Sequence, residues 1–365
     1  MATQTMHEPS GQYLVNHLID EYQRTKLNVV RSNGAWIYSN YPEAIGKVKN
    51  GAARGLALAD NNYYLNRQTV SGAAQIFFSH TNYTGEALRC CIQLYNSGSS
   101  TVTVKREYYG YSVGFGNQVK AVKDYFSSAS KTITVAAKGT AMLLDPFTVS
   151  GGATSMPFTG MLRMNSSANI EVSIYVYKYQ KGNTFPFDRS KMKAYDYNIN
   201  VSADPGTTYP NVYTGRGPSY FLTFSHGTKT VSSLKSKPYV FTSNCNKGLQ
   251  NTNEIIPITM LSGGRVADVS SSNEDLSNLG NWCAQNYNII TFKNDTNTTA
   301  TIQGYVRCSN PVMNLNGNVK GAVELQKTWN WCTVTLGPGE SHELQYQHIC
   351  ASYGAGASHH QWSVE

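Results

Sequence analysis

EALRCCIQLYNSGSSTVTVK, residues 86–105, decides the fold class. Leu88, Cys90, Ile92 and Leu94 alternate with Arg89, Cys91, Gln93 and Tyr95. Successive side chains of a strand point to opposite faces, so this alternation predicts a β-strand with one buried face. Asn96-Ser97-Gly98-Ser99-Ser100 has the composition of a turn, and residues 101–105 return with Val102 and Val104 on one face. The two runs are expected to form a hairpin.

The same grammar extends outward. Residues 132–135 and 140–144 flank Ala137-Lys138-Gly139, which predicts a second hairpin. Ile170, Val172, Ile174 and Val176 alternate inward, which sets Tyr175, Tyr177 and Tyr179 on an outer face. The second half repeats the order: a strand at 287–292, a polar turn from Asn294, a return strand, then a turn at Gly337-Pro338-Gly339. Asn96 and Asn294 are 198 residues apart, and Gly139 and Gly339 are 200 apart. Matched spacing of matched turns predicts a duplicated domain. A single core stops growing near ~250–300 residues, so a chain of 365 is expected to divide. The expected fold class is all-β: two tandem antiparallel β-sandwich domains, jelly-roll or Ig-like, with a short N-terminal helix. Leu14, Leu18 and Tyr22 stand at helical spacing and place that helix within residues 12–27. The expected division is a tail and helix at 1–29, a first sandwich at 30–181, a connecting segment at 182–217 and a second sandwich at 218–365.

Charged residues make up 14% of the chain, against ~25% in ordinary soluble domains, and 25 tyrosines and 31 glycines take up the difference. That composition suits an extracellular β-protein and excludes a disordered chain. No run approaches the ~18 apolar residues of a membrane-spanning helix. The net charge of +8 is spread thinly, as in Lys105-Arg106, Lys191/Lys193 and Lys235/Lys237, and no nucleic-acid motif accompanies it. Nucleic acid is not an expected partner. The start, Met1-Ala2-Thr3-Gln4, lacks the apolar core of a signal peptide, and a removed leader is the favoured reading.

Several segments occur in a characteristic order: Ser39-Asn40-Tyr41-Pro42-Glu43, Thr69-Val70-Ser71-Gly72, Ile76 to Asn82 (IFFSHTN), residues 94–110 and residues 131–145. Thr214-Gly215-Arg216-Gly217 and TVTLGPGESHEL (333–344) follow in the second half. This progression resembles the β-rich region of secreted Firmicutes proteins that contain a copper amine oxidase-like N-terminal domain. Where that family has His-His, this chain has Ser79-His80, and the copper-named domain is not found. No copper site is carried over. The resemblance implies a cell-surface or matrix protein with a non-catalytic role.

Motifs for chemistry are sparse. No CxxC, HExxH, EF-hand loop or Walker A loop occurs, and the serine nucleophile elbow G-x-S-x-G is read as absent. No catalytic, cofactor-binding or metal-binding residue is therefore predicted. His80 and His226, each after Phe-Ser, read as hydrogen-bonded residues at a sheet rim, and His359-His360 as a surface tail. Cys90 and Cys91 cannot bond each other because neighbours on a strand diverge. Cys283 and Cys332, each after a tryptophan, are the candidate disulfide. Five Asn-x-Ser/Thr sequons, at Asn82, Asn165, Asn200, Asn294 and Asn297, are what chance supplies in so Asn-rich a chain.

Tyrosines carry the functional expectation. Tyr108, Tyr109 and Tyr111 cluster, and with Tyr175, Tyr177 and Tyr179 they form a candidate interaction surface. Leu14, Leu18 and Tyr22 form a second, docking on a domain or on another chain. The expected function is a non-catalytic extracellular or cell-surface structural protein that polymerises into a fibre, filament or layer. The alternative is a secreted binding module for an anionic cell-wall polymer or a glycan, carried by the positive charge and the tyrosines.

Overall fold

The computed structural model describes residues 1–17, 19, 28–31, 34–40, 44–46, 63–151, 155–179, 193–194, 214–217, 221–243, 256–257, 259–260, 277–278, 283–351 and 358–364. The protein is all-β and divides into two units. Unit one is Met1–Ser32, Tyr220–Ile256 and Asn278–Glu365; unit two is Asn33–Ser219 and Pro257–Ser277. The chain begins in unit one with β1 (Thr3–Met6), β2 (Leu14–Val15) and β3 (Asn28–Arg31). Unit two holds β4 (Ala35–Ser39), β5 (Tyr63–Asn82), β6 (Leu88–Tyr95), β7 (Val102–Val113), α1 (Gln118–Ser127), β8 (Lys131–Val135), β9 (Thr140–Val149) and β10 (Met156–Lys178). The return to unit one supplies β11 (Phe221–Thr230), α2 (Val231–Ser236), β12 (Tyr239–Ser243), β13 (Gln285–Lys293) and β14 (Ala300–Arg307). It ends with β15 (Pro311–Leu315), β16 (Asn318–Gly321), β17 (Thr328–Leu336), β18 (Ser341–Cys350) and β19 (Ser358–Val364).

In unit one, one sheet has the order β1-β17-β14-β19-β12 and another the order β16-β15-β18-β13-β11-β3. Aromatic side chains from both sheets meet: Trp331 of β17 lies 4.7 Å from Tyr346 of β18, and Phe292 of β13 lies 4.9 Å from Trp362 of β19. In unit two the order is β9-β6-β10-β5-β4, with β7 on β10 and β8 on β7. The long β10 pairs with β7 from Phe158 to Ser166 and with β6 from Glu171 to Lys178, so one strand serves both. Ile92, Leu94, Val104, Val135, Leu144 and Ile174 are part of the resulting core.

The expected hairpins are arches instead. β6 pairs with β9 and β10, not with β7, and β7 pairs with β8. Likewise β13 pairs with β18, and β14 with β17. The polar turns therefore carry the chain from one pairing partner set to another. A local alternation cannot distinguish the two, because both need a strand, a turn and a strand.

A buried asparagine fastens each arch. Asn96 Nδ2 donates to the carbonyls of Ser100, Val135 and Ala136 at 2.7, 3.1 and 3.2 Å, and its Oδ1 accepts from the Gly98 N–H. Asn294 Nδ2 donates to Thr298, Leu336 and Gly337 at 2.8, 3.0 and 3.0 Å, and its Oδ1 accepts from the Thr296 N–H. The side chain of the first arch thus holds the backbone of the second. Asn82 repeats the pattern with Glu86, Ser150 and Thr84. The sequon threonines belong to it too: the Thr84 and Thr296 hydroxyls donate to Asn82 and Asn294 at 2.8 and 2.7 Å. These two sequons are internal clips, with amides committed inside the fold.

The clips also correct the register of the repeat. The Asn96 N–H donates to the Gly139 carbonyl, and the Asn294 N–H donates to that of Glu340. Gly139 thus corresponds to Glu340, and Gly339 to Lys138. Both of the latter have positive φ, 73° and 56°. Glycine adopts that conformation freely, whereas lysine does so at a cost.

The helix lies elsewhere than expected. Residues 11–13 form a 3-10 turn and Leu14–Val15 form β2, because their backbone pairs with Trp329 and Thr328 of β17. Leu18, Tyr22 and residues 20–27 lie outside the described residues. The helix α1 buries Val119, Ala121, Val122, Tyr125 and Phe126. It packs on β7 at Gly110, where a Cβ would fall 2.0 Å from the Ala121 carbonyl oxygen.

Two outcomes follow for stability. Asn294→Ala strands three carbonyls and an N–H, and is expected to cost about 3 kcal/mol or more in urea unfolding. The exposed neighbour Asn297→Ala is expected to change stability by less than about 0.5 kcal/mol. Gly110→Ala overpacks α1 against β7 and is expected to cost about 1–3 kcal/mol in the same assay.

Candidate functional site

The tyrosine stripe on β10 is not a surface. Tyr175 and Tyr177 are 1% and 3% exposed, and they form a buried cluster with Cys91 against which Tyr64 packs. Arg67 lies 4.0 Å over the Tyr64 ring and donates to the Tyr175 hydroxyl at 3.0 Å. Burial pushes both phenols up. Tyr179 is half-buried, beneath the Arg89 guanidinium at 4.9 Å. The alternation places Ile170 to Val176 in the core as expected, but the other face of the strand is buried as well. A strand with apolar or aromatic residues on both faces is the signal of double burial.

Tyr108, Tyr109 and Tyr111 are also engaged within unit two. Tyr108 meets Tyr125 of α1 at 5.3 Å, Tyr109 lies 3.8 Å under Arg106, and Tyr111 stacks on Phe147 at 4.3 Å. Around them is a groove of about 590 Å³, lined by residues 109–113 of β7 and by Asn117, Lys120, Asp124, Ser127 and Ser128 beside α1. It exists because β8 stops early: its pairing ends at Lys131 opposite Arg106, while β7 runs on to Val113.

Strand parity defines what this edge offers. The Gly114 N–H donates to the Pro157 carbonyl, so Ser112 and Gly110 also face β10. Tyr109, Tyr111 and Val113 therefore turn their main-chain groups to the groove. The Tyr109 N–H is taken by Ser128 Oγ at 2.8 Å, and the Val113 carbonyl by Asn117 Nδ2 at 2.7 Å. The N–H and carbonyl of Tyr111 face the groove between them. Lys120 and Asp124 pair along the helix rim, so the groove is polar without net charge.

The spelling G-x-S-x-G does occur, at Gly110 to Gly114, which corrects the sequence expectation. It does not form a nucleophile elbow. Ser112 is buried inside β7, and it is absent from the residues with positive φ. It sits opposite Thr159 in the ladder with β10. An elbow instead needs its serine at the tip of a strained strand-to-helix turn.

A second feature is the N-terminal segment on β17 of unit one. β1 pairs with it from Thr3↔Thr335 to Met6↔Cys332. The His7 N–H donates to the Trp331 carbonyl, and the His7 ring stacks on Tyr13 at 4.0 Å. Leu14 lies opposite Trp329, half-buried. Ion pairs join the Met1 amino group to Glu340 and Glu8 to Lys320. The N-terminal tail thus supplies an edge strand, β1.

Unit one also buries a histidine cluster. His226 Nε2 lies 3.0 Å from Asn288 Oδ1 and Nδ1 lies 3.0 Å from the Tyr239 hydroxyl. A neutral ring donating to Asn288 and accepting from Tyr239 satisfies both. Burial pushes its pKa down to about 4, with Lys229 adding to the effect. His360, expected on a surface tail, is fully buried in β19, stacked on Phe241 at 4.6 Å and held well below its ordinary range by burial. His80 is buried and hydrogen-bonded to Ser39 at 3.0 Å.

Among the described residues, no group of three or more His, Cys, Asp or Glu is arranged to hold a metal ion. Cys283 and Cys332 are not joined. Cys283 precedes β13 and its N–H donates to the Cys350 carbonyl, whereas Cys332 lies on β17 opposite Met6 and Gly304. No helix among the described residues is long and apolar enough to cross a membrane.

No family model and no curated protein matches the chain. Among solved structures, it is similar to the module TmCBM61, solved with β-1,4-galactotriose, at 6% identity over 31% of this chain and 69% of that one, with a TM-score of 0.15. Similarity to Ylba from E. coli is 12% identity over 87% and 89%, TM-score 0.12. For the T=3 Penaeus vannamei nodavirus it is 8% over 100% and 97%, TM-score 0.14. Scores this low do not mark a shared fold.

The buried imidazoles predict an acid response. A histidine neutral in the folded state, with an unfolded value near 6.5, leaves stability intact above that pH. The unfolded chain binds the extra proton below it, so stability falls as pH drops from 6.5 towards 4. For His226 alone the loss is up to about 3 kcal/mol. Urea midpoints across that range are expected to fall steeply for the native protein and less steeply for His226→Gln.

Proposed function

We propose that the chain is a non-catalytic structural protein of the cell exterior, made of two β-sandwich domains, that joins copies of itself into a fibre, filament or layer. The observation that carries this reading is how the N-terminal segment is held. β1 and β2 lie on β17 through main-chain pairing and contribute one well-buried apolar side chain from β1, Met6. Such pairing depends little on sequence, so the same register is available to the β17 of a second copy. Exchange that does not close on itself propagates a chain of subunits. Large apolar side chains exposed among the described residues are Met1, Phe115 and Val323. Their small number favours strand edges over an apolar surface. The low charge and the resemblance to secreted Firmicutes proteins support the same reading.

The test uses a native thiol. Met6 stands opposite Cys332, so Met6→Cys places two thiols across the same strand pair. Oxidation under non-reducing electrophoresis is expected to give dimers and a ladder that grow with protein concentration. Electron microscopy is expected to show assemblies that persist in high salt. Cross-linking confined to monomers at every concentration would overturn strand exchange. A salt-insensitive monomer would shift the reading to the binding module, with glycan and wall-polymer pull-downs as the next assay.

A further inference from the structure

We infer that Cys308 and Cys350 form a disulfide that closes the end of unit one opposite the Asn294 clip. Their sulfurs are 3.3 Å apart, and the residues are 4% and 1% exposed. Cys308 is the first residue after β14, and Cys350 is the last of β18. These strands belong to different sheets of unit one. They start side by side at the Asn294 arches and are held together there by the asparagine amide. Cys308 and Cys350 stand at their far ends.

The backbone already brings the two thiols together. After Cys308 the chain passes through Ser309 and Asn310 into β15, which pairs with β18 so that Pro311 faces Cys350. The Asn310 carbonyl accepts from the Ala351 N–H at 3.0 Å, which fixes this crossing. Bond formation requires the sulfurs to close to ~2.05 Å, a side-chain adjustment. Cys332 lies between β1 and β14, and the Cys283 N–H donates to the Cys350 carbonyl.

The local chemistry favours thiol exchange. The Cys350 thiol, acting against burial and helped by His348, holds Cys308 well below the ordinary thiol range. Cys90, Cys91, Cys283 and Cys332 are pushed the other way by burial. The oxidant is a low-molecular-weight disulfide or a thiol–disulfide oxidoreductase. The Cys308 thiolate attacks one sulfur of that disulfide and expels a donor thiolate. The Cys350 thiolate then attacks the Cys308 sulfur of the mixed disulfide and expels the second. The protein loses two protons and two electrons, and the donor disulfide becomes two thiols. Burial places this exchange during folding, before the sheets close, and shields the product from reductants afterwards. The bond spans 42 residues of chain, enough to restrict the unfolded state strongly.

Peptide mapping tests it. The full chain is refolded with oxidised glutathione, denatured without reductant, alkylated, and digested with trypsin and a glutamyl endopeptidase. Fragment 308–320 is expected linked to fragment 344–365, which separates Cys350 from Cys332. Five of the seven cysteines are expected to be alkylated. Reduction is expected to lower the Tm of unit one by about 10 °C. Cys308→Ser is expected to start at the lower value and to be insensitive to reductant. Alkylation of all seven thiols, linkage to Cys283 or Cys332, or protection accompanied by one equivalent of zinc would each overturn the inference. The mapping is made on the native sequence, so it stands even where the serine variant fails to fold.

Discussion

A buried primary amide is the constraint on which both units rest. A sheet pairing that changes partners at a turn leaves main-chain carbonyls pointing inward at the crossing, where water cannot reach them. An unpaired buried carbonyl costs as much as a lost hydrogen bond. Asparagine suits the position because one short side chain carries two donors and an acceptor. At Asn96 and at Asn294 the donors reach the carbonyls of a neighbouring arch while the acceptor fixes the local turn. Aspartate lacks the donors, and glutamine is one methylene too long for the same closure. With the clips in place, β6 is free to pair with β9 and β7 with β8, and the core residues between them meet.

Burial on both faces then limits where interaction can occur. In unit two, Tyr175 and Tyr177 close one face of β10, and Ile174 and Val176 the other. In unit one the imidazoles of His226 and His360 are packed among aromatic rings and are kept neutral there. These strand faces are therefore committed to packing. Main chain at an edge is offered by the stretch of β7 beside α1 and by the edge of β17 on which the first residues of the chain lie. An edge recognises another strand by its N–H and carbonyl spacing, and discriminates weakly between side chains. The proposed assembly of copies would use edges of this kind.

Much of the architecture was legible in the residues. The alternation at Leu88 to Leu94 and at Ile170 to Val176 identified strands and their core faces correctly, because a side-chain period of two is a local property. The recurrence of the Asn96 turn at Asn294 was legible for the same reason. Gly139 and Gly339 stand one residue out of correspondence, since Lys138 occupies the positive-φ position that Gly339 holds in the later turn. The α1 pattern of Val119, Val122 and Phe126 was also present and passed over, being short and set among strands.

The sequence by itself determined that the chain is all-β and that segments such as 88–94 and 170–176 are strands with one face turned to a core. These follow from local periodicity and turn chemistry, which act between near neighbours. Only the tertiary structure decided which strands pair, that the turns are arches, that Tyr175 and Tyr177 are covered, that residues 11–15 extend along β17, and that Cys308 meets Cys350 in place of a Cys283–Cys332 contact. Each of these depends on segments far apart in the chain coming together. Alternation along one strand carries no information about what covers its second face or completes its edge.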